Sequence, residues 1–178
     1  MAFWLFIFLL FAVGDSKPTN PINQTNLQAA MADMRTRSYH GFFILLKFVN
    51  NSIPDSLQNS GITFLMPNDH EISEAAVTPD QIHEFILSHS IPTVLDLLRF
   101  PNGTLAPSNI PSKIITVTKS KRSSLFLNNA KIVTPNVCVS STIRCHGIST
   151  TMTFNDLHAH AGHLTHQSSC SRFHGLPK

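Results

Sequence analysis

The chain has 178 residues, of which 42% are hydrophobic, enough for one sizeable core, whereas two full domains would each be left thin. Thirteen Lys and Arg against ten Asp and Glu give a formal net charge of +3, too mild to imply nucleic-acid binding, which usually needs a concentrated basic face. The ten histidines make that charge depend on whether the surroundings are neutral or mildly acidic, because an unperturbed imidazole titrates near pH ~6.5.

The chain opens with an uninterrupted apolar run, Phe3 to Val13, and Ala12 with Gly14 supplies the small-x-small pattern of a signal-peptidase site. Residues 1–14 are therefore predicted to be a signal peptide, positively charged only at its amino terminus. The run falls short of the roughly 20 apolar residues that span a bilayer. Residues 15–25, with Pro18 and Pro21 and little apolar content, read as a linker. Three sequons fit export: Asn23-Gln24-Thr25, Asn50-Asn51-Ser52 and Asn102-Gly103-Thr104, each in a stretch that reads as a loop or helix end. The polar end from Ser168 to Lys178 predicts neither a GPI anchor nor a membrane span.

Order is expected from residue 26 to residue 154. Leu27, Ala30, Met31 and Met34 follow the spacing of a helix face, with Asn26 as cap, and Tyr39, Phe42, Phe43 and Leu46 repeat it after the Ser38–Gly41 break. Ile62 to Met66, between Gly61 and Pro67, reads as a buried strand. Asn68 with Glu71, and Thr78 with Pro79 and Gln81, fit helix starts. The second of these helices places Ile82, Phe85, Ile86 and His89 on one face, and a short helix is predicted from Thr93 to Phe100. Beyond Pro101 the pattern turns to β: Ile114–Thr118, Leu125–Leu127, an Asn128-Asn129 turn, Ala130–Val133, then Val137–Val139 and Thr142–Ile148, with Thr151–Phe154 extending the last strand. Helices first and strands later predict an α+β fold.

Three blocks in this order resemble the FAS1 (fasciclin-like) family, and in particular its single-domain, plant-type members. The first is Ile62-Thr63-Phe64-Leu65-Met66-Pro67-Asn68-Asp69, the second Phe85-Ile86-Leu87-Ser88-His89. The third is Leu127-Asn128-Asn129-Ala130-Lys131-Ile132-Val133 with Ile143-Arg144-Cys145-His146-Gly147-Ile148. The resemblance spans Leu27 to Phe154 and implies a FAS1 fold, a β-sandwich or wedge covered by the N-terminal helices. It also implies adhesion-like binding outside the cell to matrix or cell-wall glycans or proteins. The chain departs from the family at Ser88, where an aromatic is usual, so contacts assigned to that aromatic are not carried over. Taken as residues, Asn68 and Asp69 suit backbone N–H groups at a helix start, and His89 and His146 suit hydrogen-bonded core positions.

Cys138 and Cys145 lie in two strand segments joined through Ser140-Ser141, a spacing that lets them face each other in a hairpin and form a disulfide worth about 2 kcal/mol. Cys170 is left over. His158, His160, His163 and His166 have a spacing at which imidazoles share Zn²⁺ or Cu²⁺. An extracellular metal-binding protein is therefore the alternative function. Their segment, residues 155–178, is His- and Ser-rich and reads as a disordered tail, so no cofactor is expected. Lys113, Lys119, Lys121 and Arg122 form a candidate contact for acidic polysaccharide, weighed against a solvated hairpin tip. Gly-x-Ser-x-Gly, His-Glu-x-x-His and glycine-rich phosphate motifs are all missing. Helical neighbours such as Ser88 and His89 point about 100° apart and cannot align as a dyad. The chain is therefore read as a binding protein rather than an enzyme.

Overall fold

The computed structural model describes residues 21–49, 61–96, 101–121 and 123–154. The leader, Asn50 and the tail histidines lie outside that set. Two helices, α1 (Pro21–Thr36) and α2 (His40–Val49), lead into strand β1 (Ile62–Pro67). Two short helices, α3 (Asp69–Glu74) and α4 (Ile82–Ser88), follow. Then come β2 (Ser90–Ile91), β3 (Thr104–Pro107), β4 (Ile114–Lys119), β5 (Leu125–Leu127), β6 (Ala130–Val139) and β7 (Ile143–Ile148). The fold is the α+β arrangement expected. Its strands form one seven-stranded ladder in the order β2-β1-β7-β6-β5-β4-β3, with β1 parallel to β7 and every other pair antiparallel.

The sheet divides the apolar residues into two cores. All six residues of β1 are buried, as expected of a parallel strand covered on both faces. Because side chains alternate along a strand, Ile62, Phe64 and Met66 enter a cluster with the helices, while Leu65 points into a second cluster among β2, β3, β4, β5 and β7. In the first cluster Met34, Phe42 and Leu46 are fully buried, each contributing about 1.5–3 kcal/mol of transfer free energy. Phe42 meets Phe64 edge-on at 6.0 Å between ring centroids, a favoured aromatic geometry. The second cluster gathers Ile91, Leu95, Ile115, Val117, Leu127 and Ile148.

Several local expectations are corrected. The first helix begins at Pro21 and not at Asn26, absorbing half of the predicted linker; proline is well tolerated in a first turn, where no N–H is needed. Asn26 is thus inside the helix, and its side-chain amide donates to Thr142 Oγ1 at 2.9 Å. The helix predicted from Thr78 starts at Ile82, because Thr78 to Gln81 closes a turn in which Gln81 Oε1 accepts the Thr78 N–H. Residues 93–96 are not helical: Thr63 Oγ1 donates to the Thr93 carbonyl and accepts the Leu95 N–H at 2.8 Å, taking backbone groups a helix would use.

Ala130–Val133 and Val137–Val139 are one strand, β6, running through Pro135 with register shifts on either side of Thr134. Asn136 takes a left-handed φ of 56°, and the bulge lets proline sit where no ladder bond is required. Residues 151–154 are not a strand, because side chains bind their backbone, as described below. Strands β2 and β3 have no counterpart in the sequence pattern, because two and four residues are too few for a periodic signal.

One close approach fixes how the helices sit on the sheet. Tyr39, between α1 and α2, lies directly over Gly147 of β7, so that a Cβ there would fall 2.6 Å from its ring Cζ and nearly on its hydroxyl. Gly147→Ala should therefore lower unfolding stability by about 1–3 kcal/mol through displacement of Tyr39. Urea denaturation of the variant and the parent measures this, and equal midpoints would show that the contact is slack.

Candidate interaction surface and the residues that build it

Asn68, Asp69, His89, Asn128 and Asn129, polar residues of the three sequence blocks, bind the protein's own backbone. Asn68 is the N-cap of α3, its Oδ1 accepting the Glu71 N–H at 2.9 Å, the geometry that capping requires. Asp69 reaches a different helix: its Oδ1 accepts the Gly41 N–H at 2.7 Å in the first turn of α2, placing a carboxylate at the positive end of that helix dipole. Pro67 ends β1 opposite Ile148. Asn128, in the left-handed region at φ 53°, accepts the Thr116 N–H at 2.8 Å and donates to the Thr153 carbonyl at 2.9 Å. Asn129 donates to the Thr151 carbonyl and accepts the Thr153 N–H at 2.7 Å.

His89 is 2% exposed. Its Nε2 accepts the Met152 N–H at 3.0 Å, which puts the ring proton on Nδ1, and Nδ1 donates to the Phe85 carbonyl at 3.0 Å. The Phe85 ring stacks on the imidazole at 4.2 Å. His146 is equally buried and has the opposite tautomer. Its Nδ1 accepts the N–H of Asn136, the bulge residue, at 3.1 Å, while Nε2 makes no hydrogen bond among the described residues. Burial is the main cause that pushes both pKa values down to about 4. The Phe85 backbone opposes the shift for His89 and the Leu95 backbone for His146, and Lys113 and Arg144 respectively add to it.

Among the motif residues, Thr63 holds the irregular segment 93–95, and His89, Asn128 and Asn129 hold segment 151–153. Cys138 and Cys145 are cross-strand partners on β6 and β7, Cα to Cα 4.9 Å, and form the disulfide. Asn102 is exposed in the turn before β3, its Oδ1 accepting the Lys119 N–H at 2.7 Å. Asn23 lies in the first turn of α1.

Lys113 stands apart from Lys119 in the predicted basic cluster, and Arg122 lies outside the described residues. Lys113 precedes β4 and Lys119 ends it, about 20 Å apart at the rise of a strand. The Lys113 ammonium pairs with Glu84, holding that carboxyl below its ordinary pKa, and sits over the Phe154 ring at 5.3 Å. Nothing in the local sequence marks Lys113, because both partners come from distant segments. Among the described residues, no three His, Cys, Asp or Glu side chains lie where they could hold a metal.

Two concave regions are lined by described residues. One, of about 280 Å³, lies beside α4 and is lined by Glu84, Phe85, His89, Lys113, Met152 and Phe154, among others. The other, of about 470 Å³, runs over the outward face of β3 and β4, where Leu105, Ile114, Thr116 and Thr118 stand beside Asn128, Asn129 and Thr153. Leu105 is 66% exposed and Ile114 37%, an apolar pair that folding leaves uncovered.

The sequence model described as the Fasciclin domain matches residues 40–154. Fasciclin-like arabinogalactan protein 21 of Arabidopsis thaliana is 24% identical over 181 aligned residues, which cover 96% of this chain and 50% of the relative. The chain thus spans about half the length of the curated relative it matches. Among solved structures, a FAS1 domain pair from the insect cell adhesion molecule Fasciclin I shares the fold, with a TM-score of 0.53 at 10% identity over 65% of this chain and 45% of that one.

The two buried histidines set a pH dependence whose sign is fixed. A folded pKa below the unfolded value means that the unfolded chain takes up protons first, so stability is full above pH ~6.5 and falls between pH ~6.5 and ~4. At pH 5 each histidine should cost on the order of 2 kcal/mol. Chemical denaturation at pH 7.5 and pH 5 should show the difference, and equal stability at the two values would mean that neither ring is neutral by constraint.

Proposed function

Since this chain belongs to the fasciclin-domain family, we propose that it is an extracellular interaction protein. It makes adhesion-like contacts with matrix or cell-wall glycans or proteins through a preformed surface and without turnover. Residues 1–14 direct secretion in this reading, and glycans at Asn23, Asn50 and Asn102 flank the binding body. The name of the Arabidopsis relative, an arabinogalactan protein, favours a cell-wall setting. The observation that carries the reading is the division of labour among side chains: the motif residues are consumed inside the domain, while the outward face of β3 and β4 keeps Leu105 and Ile114 exposed among hydroxyl and amide groups. Amphipathic surfaces of this kind suit partners that offer apolar and hydroxyl groups together.

Replacing Leu105 and Ile114 together by Asp should leave the fold intact, since both are exposed, and lower retention on immobilised cell-wall or matrix material at least fivefold. Unchanged retention would remove this face from the reading. The tail histidines His158, His160, His163 and His166 add positive charge below about pH 6 and strengthen attachment to acidic polysaccharide. A pectin column run at pH 5 and pH 7.5 tests this, and equal retention at both would end it.

A further inference from the structure

We propose that His89 is an acid-released latch, holding the C-terminal end of the domain, residues 151–154, against the body through the Met152 N–H and letting it go when the imidazole is protonated. The segment has no place in helix or sheet, so its backbone depends on side chains. Asn128 and Asn129 bind Thr151 and Thr153, and amide side chains hold on to their partners at any ordinary pH. Between them the Met152 N–H has only the Nε2 lone pair of His89.

Protonation fills that lone pair and sets two N–H donors against each other at 3.0 Å. The ring has no other course, because Nδ1 already donates to the Phe85 carbonyl with the Ser88 hydroxyl beside it. Nearby charges do not rescue the imidazolium. Lys113, from the loop before β4, repels it, and Glu84 of α4 is committed to Lys113. Residues 151–154 are Thr, Met, Thr and Phe and bring no carboxylate. The low pKa of the buried ring agrees with this geometry.

Release uncovers Met152 and the Phe85 and His89 wall of the cleft beside α4, which all line one concavity, and frees the base of the chain that continues to Lys178. The consequence for the molecule is a coupling between the surrounding pH and the exposure of Met152 and Phe85 in that cleft. It does not depend on the outward face of β3 and β4 being the binding surface, so the two readings can fail separately.

Amide hydrogen exchange, corrected for intrinsic rates, reads the latch directly, with the Ile62 N–H of β1 as the core reference because it donates to the Thr142 carbonyl. Protection of the Met152 amide should be below that of Ile62 at pH 7.5, and should fall roughly thirtyfold by pH 5 as local opening takes up one proton. In His89→Gln, whose side-chain oxygen reaches the same N–H and does not titrate, Met152 protection should no longer show that fall. Equal protection at Met152 and Ile62 throughout, or the same fall in the variant, would overturn the proposal. Should the variant not fold, the wild-type imidazole ¹⁵N signals decide: protonation of His89 coinciding with loss of Met152 protection supports the latch, and protonation with protection retained refutes it.

Discussion

The fold rests on a requirement for backbone polar groups that neither helix nor sheet can meet. Two segments, 93–95 and 151–153, close the second core with Leu95 and Met152, yet neither is part of a ladder. A buried N–H left unpaired costs about 1–3 kcal/mol, and the N–H groups of Leu95, Met152 and Thr153 find side chains. Thr63 serves the first segment with one hydroxyl that donates and accepts. His89, Asn128 and Asn129 serve the second. These four residues come from β1, from the end of α4 and from one β-turn, so the same bonds that satisfy the loops also tie helices to strands.

The helical side obeys a parallel constraint of space. Tyr39 occupies the volume that any side chain at position 147 would need, and Asp69 joins the start of α3 to the start of α2. Together they set where the helix pair meets β7. The disulfide between Cys138 and Cys145 lies in the same cluster, and the bulge at Asn136 is pinned to His146 one strand away. Helix position, strand irregularity and crosslink are therefore parts of one packing arrangement.

Function follows from what this arrangement leaves over. His89, Asn68, Asn128 and Asn129 are bound to backbone groups, and among the surface groups that folding leaves exposed are Leu105 and Ile114 on β3 and β4. Such a body suits a rigid binding module, in which specificity lies on exposed strands and turns and the interior supplies stiffness. The interior titrates nonetheless, which makes acidity a variable that the folded state registers.

The sequence by itself determined the α+β class, the two apolar helices, the buried first strand and the cysteine pair, because these depend on periodicity and on spacing within a few residues. It also marked Asn68 as the cap that meets Glu71, which the structure bears out, and Asp69, His89 and the Asn128-Asn129 turn as unusual polar positions, without naming the residues they bind. Only the tertiary structure decided their partners: Asp69 reaches back to Gly41, His89 forward to Met152, and Asn129 forward to Thr151 and Thr153. The same holds for the continuity of β6 through Pro135, the non-helical path of 93–96 and the pairing of Lys113 with Glu84. Each depends on a hydrogen bond, charge or contact between groups far apart in the chain or on neighbouring strands, and local propensity carries no information about a partner that folding alone brings within 3 Å or so.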